Sequence, residues 1–495
     1  MSRLLIFTSL PGKSGSLLTV GGWTILAILL VVTLQVSGAG ACFAVIVGRE
    51  ASVDGSVLVG HNEENRGRQI VNFRRIPARQ YDEGAEVSLH RGGTLPQVRR
   101  TAALLWSEIP GLEFSDAYLN EWGVAIVSDA CPTREDDYET LVRAGEIRDG
   151  GIGYMLRRLV AERAQSARDG VRIAGQLMER FGYVHSGRTY VIADPGEAWL
   201  FAAVRGRHWV AQRVPDDGVV VLPNVHIIDR VDLGDADNFL GSSDLVEYAA
   251  RRGWFDPNGK EPFSFSKAYA ALGAPQIDPR RWQGQQLVRG IRDEAPPGEP
   301  LPFAVKPSSG RKLSVADVAA ILRDRSGPIP LFKQDTQESA VFQLRAGLPA
   351  AIGCVWWRTT ARPDVGVYTP WYLGITETPE GYYRPGRVED VLHVDYHFAP
   401  PPDTWDHDPE SAWWTFYGLQ EWVDRDYRAR APAVQAEWRE FERRLFARQD
   451  SLEKDLLELL ENDPEAARAL LTQSCKEISA RARRTAHRRL ATASR

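Results

Sequence analysis

The chain has few cysteines and no excess of one charge, and both shortages exclude classes of protein. Four cysteines in 495 residues are too few for a disulfide framework. A formal net charge of -5 at pH 7 gives no reason to expect nucleic acid as a partner. Apart from a stretch in the first forty residues, no apolar run approaches membrane-spanning length. What remains is an ordinary globular composition, 43% hydrophobic and 25% charged.

Three widespread catalytic motifs are also missing. The sequence contains no serine elbow G-x-S-x-G, no zinc helix H-E-x-x-H and no phosphate loop G-x-x-x-x-G-K-[ST]. No metal and no cofactor are therefore predicted. His393, Asp395 and His397 alternate as strand neighbours do, and we interpret them as ordinary strand residues rather than metal ligands.

The first forty residues have the layout of a secretory signal peptide. After a basic start comes an apolar run from Trp23 to Val36, and then small residues. Ala39 and Ala41 occupy the two positions that signal peptidases select, so that cleavage leaves Cys42 as the first residue. The sequence therefore predicts an exported protein that has lost residues 1–41 and is not inserted in a membrane.

Two alternatives to a cleaved leader stay open. A retained membrane anchor is disfavoured because the apolar run is shorter than the roughly 20 residues that cross a bilayer. A lipoprotein would also be cut before Cys42, but such proteins usually carry Leu where Ala39 stands. Lipidation would block the sulfur, so this alternative describes an inactive surface lipoprotein.

After Cys42 the chain alternates between strand and helix patterns. The run Phe43 to Val47 and the run Val57 to Gly60 read as neighbouring strands joined by a turn. A hairpin of this kind brings Cys42 close to the polar residues that follow Gly60, although the register is not readable. Further strand runs and helical faces follow at 120–127, 151–181, 190–204, 219–222, 341–357 and 367–372.

The last hundred residues change to a helical pattern. An aromatic-rich segment begins at Ala412, and Asp463-Pro464 marks a later helix start. We therefore predict a layered α+β domain over residues 42–400, with helices of residues 401–495 packed on it.

A cysteine at the first position carries both a nucleophile and a base. The free α-amine has a pKa of about 8, so part of it is neutral at working pH and can accept the thiol proton. The thiolate is the attacking form of the residue. Cys42 is therefore the candidate nucleophile; a chance cysteine near a cleavage site is the alternative that the residue alone leaves open.

Segments spread along the chain resemble PepD-like cysteine dipeptidases, a family of N-terminal nucleophile hydrolases. The resemblance begins with Cys42-Phe43-Ala44-Val45-Ile46-Val47-Gly48 and Gly60-His61-Asn62-Glu63-Glu64. It continues through Asn120-Glu121-Trp122-Gly123-Val124, Thr336-Gln337-Glu338-Ser339 and Ala412-Trp413-Trp414-Thr415-Phe416. It thus covers nearly the whole chain after Cys42.

The resemblance implies an αββα four-layer sandwich and metal-free hydrolysis of dipeptides through a thioester on Cys42. It implies that His61 stands where relatives often carry Arg, and that Glu64 stands where they usually carry Asp to hold the amine. It implies an oxyanion donor at Asn224 and an arginine near the nucleophile at Arg281, with Arg280 as the adjacent alternative. Since His is charged only at lower pH, activation of the thiol is expected to depend on pH.

Other interpretations of these residues stay open. Asn224 follows Pro223 and fits a turn, His61 and Glu64 fit a solvated loop, and Arg281 fits a pair with Asp278. At the level of activity, the alternative is an N-acyl amide hydrolase of the penicillin or bile-acid acylase type. Small peptides are the predicted partners, and the sequence leaves a homo-oligomer open.

Overall fold

The computed structural model describes residues 42–64, 71–108, 116–275, 277–292, 300–383 and 407–493. The leader and the triplet His393, Asp395 and His397 lie outside these residues. Within them, no helix is both long and apolar enough to cross a membrane. All four cysteines, Cys42, Cys131, Cys354 and Cys475, are free and buried, in keeping with the absence of a disulfide framework.

The strands, in chain order, are β1 Phe43–Val47, β2 Val57–Glu64, β3 Asn72–Ile76, β4 Arg79–Gln80, β5 Glu86–Ser88, β6 Thr94–Pro96, β7 Arg100–Thr101, β8 Leu104–Glu108, β9 Ala117–Asn120, β10 Ala125–Ala130, β11 Tyr183–Ala193, β12 Ala198–Gly206, β13 Trp209–Arg213, β14 Val219–Leu222, β15 Phe239–Gly241, β16 Ala304–Val305, β17 Thr336–Leu344, β18 Cys354–Thr360 and β19 Thr369–Tyr372. The helices are α1 Tyr138–Arg143, α2 Met155–Arg163, α3 Ala167–Phe181, α4 Leu245–Arg251, α5 Phe265–Tyr269, α6 Pro279–Arg289, α7 Val315–Leu322, α8 Ala350–Gly353, α9 Ala412–Asp424, α10 Tyr427–Asn462 and α11 Pro464–Ala493.

Two antiparallel sheets face each other at the centre of the molecule. The first sheet has the order β16-β14-β1-β2-β17-β18-β19, and the second has the order β15-β13-β12-β11-β10-β9-β8-β3. Their facing sides share one apolar core, in which the ring of Phe73 on β3 lies 5.0 Å from that of Trp356 on β18. Every residue of β1 is buried, as expected for a central strand with a continuous apolar run.

Helices cover the outer side of each sheet. On the second sheet, α2 and α3 pack through a separate apolar core that includes Leu159 and Val171. On the first sheet lie α6 and α7, followed along it by the C-terminal helices α9 and α11. The predicted αββα four-layer sandwich is confirmed, and the C-terminal helices α9 and α11 pack directly on β18 and β19 of the first sheet.

Helix α6 lies unusually close to the first sheet, and its ends follow from its sequence. It begins with Asp278, whose side chain accepts the backbone N–H groups of Arg280 and Arg281, and with Pro279 in its first turn. In its middle is Gly284, where a Cβ would lie only 2.8 Å from Cγ1 of Val221 on β14. This close approach brings the first turn of α6 over the start of β1.

Candidate active site

Cys42 lies immediately before β1, opposite the end of β2. The strands pair antiparallel with Phe43 opposite Asn62 and Ala44 opposite His61, so the next pair along is Cys42 and Glu63. The thiol of Cys42 is 3.6 Å from Oε1 of Glu63 and 3.7 Å from the backbone oxygen of Glu64. The predicted proximity of the nucleophile to the polar end of the neighbouring strand is thus confirmed.

His61 connects the two sheets beside this thiol. Its Nε2 lies 2.9 Å from Oδ1 of Asp129 at the end of β10, and both side chains are buried. Donor atoms of Cys42, His61 and Asp129 lie within 4.8 Å of one another. His61 is therefore not part of a solvated loop, which was the alternative interpretation of its position.

Asp129 was not identified from the sequence as a site residue. It belongs to a strand-like run, but a carboxylate at the end of such a run is normally read as an exposed strand end. Its partner is 68 positions earlier in the chain and belongs to the other sheet, so only the fold brings the two together.

The surroundings of Cys42 keep its sulfur protonated. Burial raises the pKa of the thiol well above its usual value, and the carboxylates of Glu63 and Asp129 raise it further. The guanidinium of Arg188, which donates to Oγ of Ser128 at 3.0 Å, acts in the opposite direction. A further positive charge near the sulfur would therefore be needed to form the thiolate.

The neighbouring acids and base are strongly perturbed as well. Burial raises the pKa of Glu63 to about 8, and the nearby charge of Asp116 adds to this effect. Burial acts to lower the pKa of His61, but its hydrogen bond with Asp129 and the charges of Asp129 and Glu63 together outweigh burial and raise it. The site thus combines a Glu63 that is largely neutral at pH 7 with a His61 that takes up a proton more readily than a free histidine, beside a protonated thiol.

Glu64 points away from the thiol. Its Oε1 accepts the backbone N–H of Lys333 and the hydroxyl of Thr336, each at 2.8 Å. Burial raises the pKa of this carboxyl to about 8. The resemblance assigns Glu64 to the amine of residue 42; in the structure its hydrogen bonds are made to the turn before β17.

Asn224 and Arg280 complete the site from the end of β14 and the first turn of α6. Arg280 donates from Nη2 to Oδ1 of Asn224 at 2.9 Å and from Nη1 to the carbonyl of Cys42 at 3.4 Å. Asn224 in turn donates from Nδ2 to the carbonyl of Ala130 at 3.0 Å. One of the two amide N–H groups of Asn224 is thereby engaged, and the other is left for a ligand.

The structure corrects the choice of arginine. Arg281 was the predicted neighbour of Cys42, but its Nη2 donates to the carbonyls of Pro302 at 2.8 Å and Leu301 at 3.4 Å. Consecutive residues of an α-helix are about 100° apart around its axis, so Arg280 and Arg281 point in different directions. Arg280 is the residue that contacts Cys42 and Asn224.

The donor set of Cys42, His61 and Asp129 is also the kind that binds a transition metal. Sulfur, imidazole and carboxylate are all zinc ligands, and the 4.8 Å limit on their separation leaves room for an ion after a small movement. However, His61 and Asp129 already satisfy each other at 2.9 Å, which is equally the arrangement of a base and the residue that orients it. Metal binding and metal-free base catalysis would therefore use the same three side chains.

Comparison with known proteins identifies one matching family and several relatives that are named as dipeptidases. Residues 41–327 match the family described as peptidase family C69. The chain is 28% identical over 373 residues to a "Probable dipeptidase" from Salmonella dublin, which covers 70% of this chain and 83% of that protein. It is 26% identical over 368 residues to a "Probable dipeptidase" from Latilactobacillus sakei, covering 69% and 76% of the two chains.

A more distant relative covers more of the chain. A "Probable dipeptidase B" from Streptococcus pyogenes serotype M1 is 22% identical over 478 residues, which is 90% of each chain. Among solved structures, a conjugated bile acid hydrolase from Clostridium perfringens is 13% identical with a TM-score of 0.37, and covers 67% of this chain and 92% of that one.

Proposed function

The chain belongs to peptidase family C69, and we propose that it is an exported cysteine dipeptidase whose nucleophile is Cys42. The observation that carries this proposal is the position of the Cys42 thiol, which lies immediately before β1 and within 4.8 Å of the His61–Asp129 pair. The family match begins at residue 41, immediately before Cys42, which supports a leader that lies outside the enzyme proper.

Removal of residues 1–41 would supply the positive charge that the buried thiol lacks. A new α-amine on Cys42 has a pKa of about 8 in its protonated form, and its charge would act on the sulfur of the same residue. Together with His61, whose pKa is raised, it would offset the burial and the neighbouring acids that hold the pKa of the thiol high. The neutral fraction of the amine accepts the thiol proton, the ammonium that this forms stabilises the thiolate, and the thiolate attacks the peptide carbonyl.

The oxyanion that forms in this attack needs a fixed donor. Asn224 is held at both ends of its amide, by Arg280 at Oδ1 and by the carbonyl of Ala130 at Nδ2. Its remaining N–H is thus oriented before substrate binds, which is the condition for efficient electrostatic stabilisation. The C–N bond then breaks, the amine proton goes to the leaving amino acid, and water hydrolyses the thioester.

Hydrolysis of a dipeptide panel by the mature protein tests this function. Cys42→Ala should abolish hydrolysis while the far-UV spectrum and the melting temperature stay unchanged. Cys475→Ala is the matched control, because that buried thiol lies on α11 and contacts the carbonyl of Pro370 instead of the site. If Cys42→Ala keeps its activity, Cys42 is not the nucleophile.

The same panel separates the two enzymatic alternatives. N-acyl amides included beside dipeptides should be hydrolysed poorly if the enzyme is a dipeptidase, because they lack the free amine of a peptide. A preference for the N-acyl amides would instead favour the acylase alternative. An inactive lipoprotein would hydrolyse neither class, and its mass would include the acyl chains on Cys42.

A further inference from the structure

A cavity of about 270 Å³ opens beside the proposed oxyanion residue. Val225, which follows Asn224 directly, is part of its wall, and so is Arg281 on the helix that carries Arg280. Asn224 and Arg280, the residues immediately before these two in the chain, contact each other, and Arg280 also contacts the carbonyl of Cys42, so the cavity lies next along the chain to the groups that would hold a reacting carbonyl. The cavity is therefore placed to hold the part of a substrate that lies on one side of the reacting carbonyl.

The cavity wall contains a buried cation without an ionic partner. Arg281 is 6% exposed and makes no salt bridge with any carboxylate of the residues that the structure covers. Its Nη2 is satisfied by two backbone carbonyls, whereas its Nε is buried with no hydrogen-bond partner. A buried guanidinium of this kind is costly unless an anion or further acceptors complete it.

The nearest acidic residues do not fill this role. Asp278 uses Oδ1 to accept the backbone N–H groups of Arg280 and Arg281 at the start of α6. Asp229 is exposed and accepts the hydroxyl of Ser264. Both carboxylates line the cavity and act on Arg281 without a direct ion pair, so an incoming carboxylate would be the first direct anionic partner of Arg281 and would share the cavity with these two acids.

A second polar group of the wall is also unsatisfied. His226 is 5% exposed, and one ring nitrogen lies 3.4 Å from Oγ1 of Thr189 while Nε2 has no partner. Because burial lowers the pKa of His226 to about 4, its ring is neutral at working pH and can serve as a hydrogen-bond donor without adding charge.

The rest of the wall combines apolar side chains with two further cations, Arg134 and Lys267, and two carboxylates, Asp229 and Asp278. Ile227 and Leu301 are buried, and Leu272 stands at the wall with 82% of its surface exposed. Small-molecule sites usually have volumes of roughly 300–1,000 Å³, so this cavity falls at the small end. Its size and lining suit a single amino acid with an apolar side chain and a carboxylate.

We propose that this cavity binds the C-terminal residue of a dipeptide, with its carboxylate on Arg281 and its apolar side chain against Ile227 and Leu301. This inference rests on the proposed dipeptidase function and adds the basis of its selectivity. A longer peptide would place an amide, not a carboxylate, at Arg281, and its next residue would have no room in the cavity. Arg281 is thus the residue that distinguishes dipeptides from longer chains.

Calorimetric titration of the full chain with leucine and with leucinamide tests the cavity without requiring hydrolysis. Leucine should bind, and leucinamide, which lacks the carboxylate, should bind at least tenfold more weakly. Arg281→Gln should weaken leucine by about 10- to 100-fold, as expected when a charge-assisted hydrogen bond is lost, and should leave leucinamide unchanged. Arg281→Lys, which keeps the charge, should recover part of the affinity.

Arg289→Gln is the matched control, because this exposed arginine lies in the last turn of the same helix. Equal binding of leucine and leucinamide by the wild-type protein overturns the inference, as does an Arg281→Gln variant that folds normally and binds leucine unchanged. If leucine binds as described but no dipeptide is hydrolysed, the proposed function fails while the carboxylate site stands.

In the active enzyme the same variants should alter selectivity. Wild type should favour Ala-Leu over Ala-Leu-amide, and Arg281→Gln should raise the KM for Ala-Leu alone, so that the two substrates become equivalent. An equal loss of activity on Ala-Leu and on Ala-Leu-amide would mean that Arg281 only supports the fold, and it would contradict the proposed role.

Discussion

His61 on β2 and Asp129 on β10 join the two sheets through a 2.9 Å contact between Nε2 and Oδ1, directly beside the thiol of Cys42. The pairing raises the pKa of a histidine inside a buried site, where burial alone would lower it.

Asp129→Asn should lower the pKa of His61 and shift the pH optimum of the enzyme downwards. A fall of one unit in this pKa reduces the charged fraction of His61 by up to tenfold, so kcat/KM at pH 7.5 should fall by about tenfold or more. The pH profile and the imidazole signals in an NMR titration measure both effects.

The control for this change is a second histidine–aspartate pair. Nε2 of His208 lies 3.2 Å from Oδ1 of Asp244, far along the second sheet, and Asp244→Asn removes a comparable partner there. That variant should keep the wild-type pH profile. A profile that moves equally in both variants would show that Asp129 has no special effect on the site.

Glu63 should impose a loss of activity on the alkaline side. Burial holds its pKa at about 8, so above that pH a negative charge appears 3.6 Å from the thiol and disfavours the thiolate. Glu63→Gln should remove this loss, with kcat/KM staying level between pH 7.5 and 9. An unchanged alkaline limb in the variant would assign the loss to another group.

Glu63 should also make the stability of the folded protein depend on pH. Because the pKa of Glu63 is raised in the folded state, its favourable contribution is complete below the ordinary Glu pKa of about 4.3 and is lost as pH rises through 8. Urea midpoints of wild type and Glu63→Gln should therefore move apart between pH 5 and 9, with the variant more stable at the higher pH. Equal midpoints at pH 9 would contradict the buried, neutral carboxyl.

Asn224→Ala should reduce kcat by roughly 100- to 1,000-fold, the usual cost of removing one oxyanion donor. KM should change much less, because the donor acts on charge that develops only during the reaction. Arg280→Gln should have a smaller effect of the same kind, since Arg280 positions Asn224 through the 2.9 Å contact with Oδ1. A change in KM alone would place Asn224 in substrate binding instead.

The C-terminal helices should contribute to stability through a buried ion pair. Arg345 after β17 donates to both carboxylate oxygens of Glu453 on α10, at 2.6 and 2.7 Å. Glu453→Gln leaves the buried guanidinium without its charge partner and should destabilise the fold by about 3 kcal/mol in urea denaturation. The exposed Glu440, which pairs with Arg443, is the control, and Glu440→Gln should have no measurable effect.

Sequence patterns predicted the local elements well where an apolar run stands alone. The runs 43–47 and 219–222 form β1 and β14, and the helix start at Asp463-Pro464 is confirmed by α11. The predicted strand 120–127 is wrong as a single element. Asn120 accepts the backbone N–H groups of Trp122 and Val124, and Gly123 has a φ of +82°, so a tight turn separates β9 from β10.

The site itself could be predicted only in part, because its geometry depends on contacts between distant segments. The alternation of strands indicated that Cys42 lies near the end of β2, but not that its partner in the register is Glu63. Asp129 and Arg280 reach the site from the second sheet and from α6. The sequence pattern does not distinguish Arg280 from Arg281, because the two arginines are adjacent in α6 and have the same local sequence around them.

The identity of the first residue in the active protein tests the central proposal most directly. N-terminal sequencing and intact mass of the protein purified from an active culture should give an unmodified Cys42 at the terminus, with dipeptide hydrolysis present in the same sample. An active protein that retains residues 1–41, or one whose Cys42 carries lipid, would contradict catalysis by an N-terminal cysteine.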